Sequence, residues 1–285
     1  MTSSNGSGKR PAFLGIGAQK AGTTWLHHVL NQHPDLCLPR SKETHFFERP
    51  EVFDKGTDWY GSLLSHAEPH QICGEVTPGY LWTAAPPAAS NLPWHNSHRQ
   101  DIPARVRDVL GPDIKLIAIL RNPVDRAISA VVHHASKGRI DLANDDLQQA
   151  FRRFGIAHIG FYASHIAHWF THFPRGQFGF YCLEQAKAHK PDFYRSVFDF
   201  LGVHPLETVS AEQSFQFAAR YHRDETGVVI KEVPEKNRAF FAEGMTMLTP
   251  PDIAVLQAYY RDDVMRLQDL TGLDLSSWRG DFPDL

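Results

Sequence analysis

Cysteine is scarce in this chain of 285 residues: only Cys37, Cys73 and Cys182 occur, an odd and widely scattered trio. They fit neither a disulfide framework nor a zinc site with paired ligand spacing, and they suit a reducing compartment. No apolar run approaches membrane-spanning length, and the opening MTSSNGSGKR is polar rather than secretory in character. A surplus of cations is missing too. Lys+Arg number 29 against Asp+Glu 32, a formal net charge of -3. That balance excludes a general nucleic-acid binder, whose counterion-release affinity needs clustered positive charge. With 42% hydrophobic and 21% charged residues, disorder and fibrous repeats are excluded as well. What remains is a globular protein, expected in the cytoplasm, with no membrane or nucleic-acid partner. A local phosphate site stays open, since one pocket needs only a few donors.

Residues 1–10 are Ser/Gly/Asn-rich and are expected to form a disordered tail; residues 11–285 are expected to form one domain. Residues 12–17 (AFLGIG) form a short apolar run bounded by glycine, the pattern of a buried strand. In residues 23–33, Trp25, Leu26, Val29 and Leu30 share one helical face, and Pro34 ends the helix. Strand, glycine loop and helix open a parallel α/β sheet. Residues 115–120 (KLIAIL) and 178–183 (FGFYCL) read as further strands, with helices over 124–134, over 192–201 closing at Gly202, and over 252–271 closing at Gly272. Two stretches read as irregular: 83–103, rich in proline, as a long substrate-facing loop, and 138–146 as a turn.

The loop Gly17-Ala-Gln-Lys20-Ala21-Gly22-Thr23-Thr24 lies between the first strand and the first helix. Backbone N–H groups at a helix N-terminus, with the helix dipole behind them, make an anion site, and glycine lets the backbone approach. Against the nucleotide P-loop G-x-x-x-x-G-K-[ST], Gly17, Gly22 and Thr24 are in register, but the lysine has moved from the place of Thr23 to Lys20. After the second strand, where a kinase holds its magnesium with a carboxylate, stands Arg121. Both departures point to a nucleotide whose charge is met by protein cations.

These residues carry a resemblance. Residues 19–26 (QKAGTTWL) resemble the 5′-phosphosulfate loop of sulfotransferases that use 3′-phosphoadenosine 5′-phosphosulfate (PAPS), and 120–129 (LRNPVDRAIS) resemble their 3′-phosphate motif. Residues 41–47 (SKETHFF) are similar to the segment that supplies the general base in the heparan-sulfate-type and bacterial branch; 74–80 (GEVTPGY) and 198–202 (FDFLG) are similar to further segments of it. The resemblance spans about 11–278. It implies an α/β single domain with a P-loop-like parallel β-sheet flanked by helices on both faces. It also implies PAPS as co-substrate, 3′-phosphoadenosine 5′-phosphate (PAP) as product and no metal. The sites it implies are Lys20, Ala21, Gly22, Thr23, Thr24 and Trp25 at the 5′ end, and Arg121 and Ser129, eight residues apart, at the 3′-phosphate. Glu43 becomes the base, and Arg238, in EKNR, corresponds to the basic loop over the cofactor, without its glycine. The relatives' lysine is replaced by Val76, and their late cysteine pair is absent. These departures argue for a bacterial-type enzyme over one acting on heparan.

Such chemistry needs the acceptor's proton removed and the leaving phosphate's charge stabilised. Lys20, the threonines and the loop amides suit the second task. Glu43 suits the first, with His45-Phe46-Phe47 expected as an apolar wall that desolvates it; His45 is the rival base. Arginine offers a planar fork to phosphate and serine one hydroxyl. Trp25 either flanks the adenine or packs in the core, Arg126 reads as a surface or ion-pair residue, and Glu75 as a substrate contact or a turn cap. Adjacent histidines such as His27-His28 diverge by about 100° and cannot share an ion. His165 and His168 share a face without an evident third ligand. A P-loop kinase and a non-catalytic nucleotide-binding module are the competing readings. The acceptor, small molecule or carbohydrate, alcohol or amine, stays open.

Overall fold

The structure, a computed structural model, describes residues 9–83, 100–210 and 218–285. Most of the expected tail and most of the 83–103 loop lie outside those residues. In chain order the elements are β1 (Phe13–Gly17), α1 (Thr23–Leu30), β2 (Leu36–Cys37), α2 (Pro50–Phe53), α3 (Gly56–Ser62), β3 (Ile72–Val76), α4 (Ile102–Leu110), β4 (Lys115–Leu120) and α5 (Pro123–Ala135). They continue with α6 (Leu147–Arg152), α7 (Tyr162–Phe170), β5 (Phe178–Cys182), α8 (Leu183–Ala188), α9 (Lys190–Leu201), β6 (Arg220–Asp224), β7 (Gly227–Glu232), β8 (Thr246–Leu248) and α10 (Pro250–Thr271). Among the described residues no helix is long and apolar enough to cross a membrane. The described chain divides into two compact units: 9–83, 100–120 and 165–210 form the first, and 121–164 with 218–285 the second.

The first unit is built on a parallel five-stranded sheet in the order β2-β3-β1-β4-β5, flanked by helices. β1 is buried throughout because both sheet faces are covered, which is why its sequence is continuously apolar. Trp25, Leu26, Val29 and Leu30 of α1 pack with Phe193, Val197, Phe198 and Leu201 of α9 in one core, as the helical spacing predicts. β3 was not foreseen: its ICGEV carries a glycine and a glutamate and lacks the apolar signature. The glycine is required, since a Cβ on Gly74 would fall 2.2 Å from the Phe13 ring. Cys37 and Cys73, far apart in sequence, face each other across β2 and β3 as buried thiols. Ile102 and Pro103, read as loop, instead begin α4, where the Asp101 carboxylate accepts the Ala104 N–H at 3.2 Å.

In the second unit, Asn122 caps α5 by accepting the Val124 N–H at 2.9 Å, and Pro123 takes the first helical position. Arg126 is a correction: it is fully buried and donates Nη2 to the Ile156 carbonyl. α5 is buried on nearly every side, and Arg126 shares its face with Ala130, one turn on. The antiparallel sheet β6-β7-β8 was also unforeseen, because RYHRD in β6 has almost no apolar content. On the final helix Ile253, Leu256, Tyr260, Val264 and Leu267 are buried and Leu270 half-buried, and Gly272 closes it with φ 67° as expected. Pro250 and Pro251 form its first turn.

Asp263 lies on that same buried face. Its carboxylate accepts the Ala163 N–H at 2.8 Å, the Ser164 N–H at 3.0 Å and the Ser164 hydroxyl at 2.9 Å, so a distant side chain caps α7. Burial pushes its carboxyl up from 3.8 to about 6, against the pull of those donors. A raised carboxyl contributes stability that is complete below pH 3.8 and is lost as pH rises through about 6. Asp263→Asn should therefore remove a downward step in stability across that window, read as urea midpoints at a series of pH values. An unchanged slope would contradict the assignment.

Candidate functional site

β1 lies between β3 and β4; the chain builds β2 and β3 on one side of it and then crosses to β4 and β5 on the other, so the switch in strand order falls at β1. Crevices outside the carboxyl ends of strands at such a switch point are where ligands bind in open α/β sheets. The loop that leaves β1 there holds Ala18 against the sheet (Ala18 N–H to Ile119 O, 2.7 Å) and turns on two left-handed residues, Lys20 (φ 66°) and Gly22 (φ 94°). A Cβ on Gly22 would fall 2.6 Å from Leu183, so glycine is needed for space as well as conformation. α1 then starts with no side-chain cap and no acidic residue in its first turn. Its amide end and dipole are left to an anion. Thr24 is exposed there, while Ala21 and Thr23 are buried beneath the loop. Trp25 does not line the loop: its ring stacks on Phe193 at 4.8 Å and meets Tyr194 edge-on. Of the two readings of this residue, the structure supports the core.

Glu43 lies on the segment after β2 with about a third of its side chain exposed. Lys42 Nζ is paired with Oε1, and His45 Nε2 is 3.6 Å from Oε2. The expected apolar wall is elsewhere. Phe46 stacks on Tyr60 at 4.2 Å and Phe47 meets Tyr80 edge-on at 5.5 Å. The segment turns at His45 (φ 56°), which sends these rings into the core and leaves the carboxylate among charged neighbours. His45 itself bridges Glu43 and Glu48.

What holds this segment is Glu75, which neither faces a substrate nor caps a turn. It is fully buried at the end of β3, and its carboxylate accepts hydrogen bonds from Thr44 (2.5 Å), Thr77 (2.8 Å), Tyr80 (3.0 Å) and Tyr60. Thr44 is fixed twice, since its N–H also donates to Thr77 Oγ1 at 3.1 Å. Burial pushes the Glu75 carboxyl up and the four hydroxyls pull it back. Val76 is fully buried against Gly15. His27 of α1, weighed in the sequence only as half of an adjacent histidine pair, also lies near Glu43. Burial, then Lys42 and His28, lower it from 6.5 to about 4, with Glu43 acting the other way. It is a neutral imidazole at ordinary pH, and no motif spacing announces it.

Arg40, Ser41, Glu43, Thr44, His45, Arg49, Lys55, Trp59 and His66 are among the residues lining a cavity of about 530 Å³ in the first unit. Lys55 Nζ lies 4.5 Å over the Trp59 ring. The cavity wall is therefore cationic around one candidate base.

In the second unit, Arg121 and Ser129 converge on a shared neighbour that the sequence did not indicate. Tyr221 of β6 lies with its hydroxyl 3.5 Å from Arg121 Nη2 and hydrogen-bonds Ser129 as well. Burial pushes the phenol up while Arg121 pulls it down. Tyr162 donates its hydroxyl to the Arg121 carbonyl at 2.9 Å, fixing the backbone from which the guanidinium projects. Arg238, by contrast, is well exposed and pairs with Glu235 at 2.8 Å.

Comparison with known proteins bears on the family and the fold. A family model described as the sulfotransferase domain matches residues 10–266. The chain is 33% identical over 223 residues to human heparan sulfate glucosamine 3-O-sulfotransferase 6, covering 75% of this chain and 58% of that protein. It is 30% identical to the mouse protein of the same name, covering 95% of this chain and 75% of that one. Among solved structures, a sulfotransferase from Alicyclobacillus acidocaldarius superposes with a TM-score of 0.65 at 26% identity, covering 95% of this chain and 99% of that one. With the model's match running from before β1 into α10, the chain belongs to the sulfotransferase family.

Proposed function

We propose that this protein transfers a sulfuryl group from PAPS to a hydroxyl or amine acceptor. The observation that carries the reading is the uncapped start of α1 behind the Lys20 loop, at the switch point of a parallel sheet. PAPS, when bound, supplies the sulfuryl group and departs as PAP. Lys20, Thr24 and the amides from Ala21 to Trp25 stabilise the negative charge that grows on the leaving 5′-phosphate, and such pre-aimed donors are often the largest catalytic term. Arg121 and Ser129 hold the 3′-phosphate, with Tyr221 as a third polar group at the same place. Glu43 takes the acceptor's proton as the acceptor oxygen or nitrogen forms its bond to sulfur. Lys42 and His45 orient that carboxylate, and Glu75 holds the chain that carries it. Arg238 is assigned to the cover of the cofactor, which requires it to exchange Glu235 for phosphate.

The same reading extends to the acceptor. Arg40, Arg49, Lys55 and His66 around Glu43 suit an acceptor that bears carboxylate or sulfate groups, and Glu43 beside them suits a hydroxyl of that acceptor. A charged carbohydrate is the class that uses all of them.

Each part has its own measurement. Adenosine 3′,5′-bisphosphate at a hundred times its dissociation constant should stabilise the protein by about 2.7 kcal/mol. Arg121→Ala should lose its preference for the bisphosphate over 5′-AMP; an equal response to the two nucleotides in the parent protein would refute the clamp. Glu43→Gln should lower kcat by about a hundredfold to ten-thousandfold while leaving bisphosphate binding intact, and full activity in that variant would remove Glu43 as base. With a panel of neutral and acidic saccharides, the Arg49→Ala, Lys55→Ala double variant should raise KM about tenfold for the acidic ones alone, as loss of a charge-assisted hydrogen bond implies. Equal use of neutral and acidic saccharides by the parent protein would rule out the anionic acceptor.

A further inference from the structure

Outside the site described above, two imidazoles and one carboxylate of the first unit meet at the ends of two helices. His168 lies in the last turn of α7, His172 one helical turn later, and Asp101 immediately before α4. His168 Nε2 is 3.1 Å from Asp101 Oδ1, and His172 Nε2 is 3.6 Å from Asp101 Oδ2. One ligand atom from each residue lies within 4.8 Å of the others, and the two imidazole rings are 5.5 Å apart with their planes at 72°. The sequence pairing of His165 with His168 is not what forms. His165 is buried, with Nδ1 3.2 Å from the Thr83 hydroxyl, whereas the i, i+4 pair shares the outer face.

We infer that Asp101, His168 and His172 bind a divalent transition-metal ion such as Zn²⁺. Three ligands each about 2.0–2.2 Å from a tetrahedral ion lie roughly 3.3–3.5 Å from one another; here the Asp101 carboxylate spans the two imidazoles, with one oxygen toward each nitrogen at 3.1 and 3.6 Å. The ligands are also held in advance. Asp101 Oδ1 accepts the Ala104 N–H at the start of α4. His172 is fixed by its N–H to the Trp169 carbonyl at 3.0 Å and by its carbonyl, which accepts from Arg107 Nη1 at 2.7 Å. About a quarter of each imidazole side chain and nearly half of Asp101 are exposed, which leaves room for water to complete the coordination. Two imidazoles with one carboxylate favour zinc, copper, nickel or cobalt over magnesium and calcium, which prefer all-oxygen sites. None of the three residues belongs to the proposed catalytic machinery. The ion ties the start of α4 to the end of α7, a structural role independent of sulfuryl transfer.

Asp101→Asn separates this proposal from an ordinary His–Asp pair. Asparagine caps a helix as well as aspartate does but is a poor transition-metal ligand. Titration calorimetry of the tag-free full chain with Zn²⁺ should show one equivalent that weakens at least tenfold in Asp101→Asn, a typical loss for a disturbed metal site. The His168→Ala, His172→Ala double variant should lose that equivalent altogether. Circular dichroism of Asp101→Asn should stay unchanged, so its result decides even if the double variant folds poorly. In the parent protein, saturating zinc should raise Tm by about 5 °C or more. An identical isotherm in parent and Asp101→Asn proteins, or no zinc uptake by the parent, would overturn the site.

Discussion

A carboxylate with no exposed surface organises the first unit. Glu75 ends β3 inside the protein, where an unpartnered charge would be prohibitively costly, and it is tolerated because four hydroxyl donors close around it. Those donors come from separate places in the chain: Thr44 beside the candidate base, Tyr60 on α3, and Thr77 and Tyr80 on the turn after β3. One buried group thus sets the position of the Glu43 segment relative to the sheet. It also explains the aromatic cluster of Phe46, Phe47, Tyr60 and Tyr80, whose two phenols must keep their hydroxyls on the carboxylate while their rings pack.

The second unit uses the same device with different donors. Asp263 takes two backbone N–H groups and a serine hydroxyl at the start of α7. Asp281 takes Arg223, Gln257 and Asn122; burial pushes its carboxyl up, but these donors hold it below its ordinary range. Through Asn122, which also caps α5, Asp281 steadies the turn that follows Arg121. Buried networks of this kind are effective only when fully satisfied, and they favour one geometry over its near neighbours.

The two candidate phosphate-binding parts rest on different physics. At α1 the anion is met by amides and a dipole, which needs a helix start left without a cap and glycine where a side chain would strike Leu183. At α5 the start is already capped by Asn122, so the donors are side chains: Arg121, Ser129 and Tyr221. Val76 marks a third difference. With that position packed against Gly15, positive charge near Glu43 comes from Lys42, Arg40 and Arg49 on the neighbouring segment.

Much of this was legible along the chain. Continuous apolar runs gave away β1, β4 and β5 because a doubly covered parallel sheet demands them, and three-to-four spacing with glycine stops marked α1, α9 and α10. Lys20, Gly22, Arg121, Ser129 and Glu43 could be put forward as candidates because they lie in local patterns, a loop before a helix, an arginine after a strand, a charged pair beside aromatics, that resemble the family's motifs. β3 and β6 escaped since their stability comes from neighbours rather than from pattern, and β7, apolar over its first four residues, was missed without its partner β6 to mark a hairpin. The surroundings of Glu43, the burial of Arg126, the phenol of Tyr221, the neutral state of His27 and the purpose of Glu75 escaped for the same reason. Residues adjacent in sequence set conformation, and the sequence determined those conformations; the partners of each carboxylate and imidazole come from elements far away in the chain, and only tertiary structure decided which of them would meet.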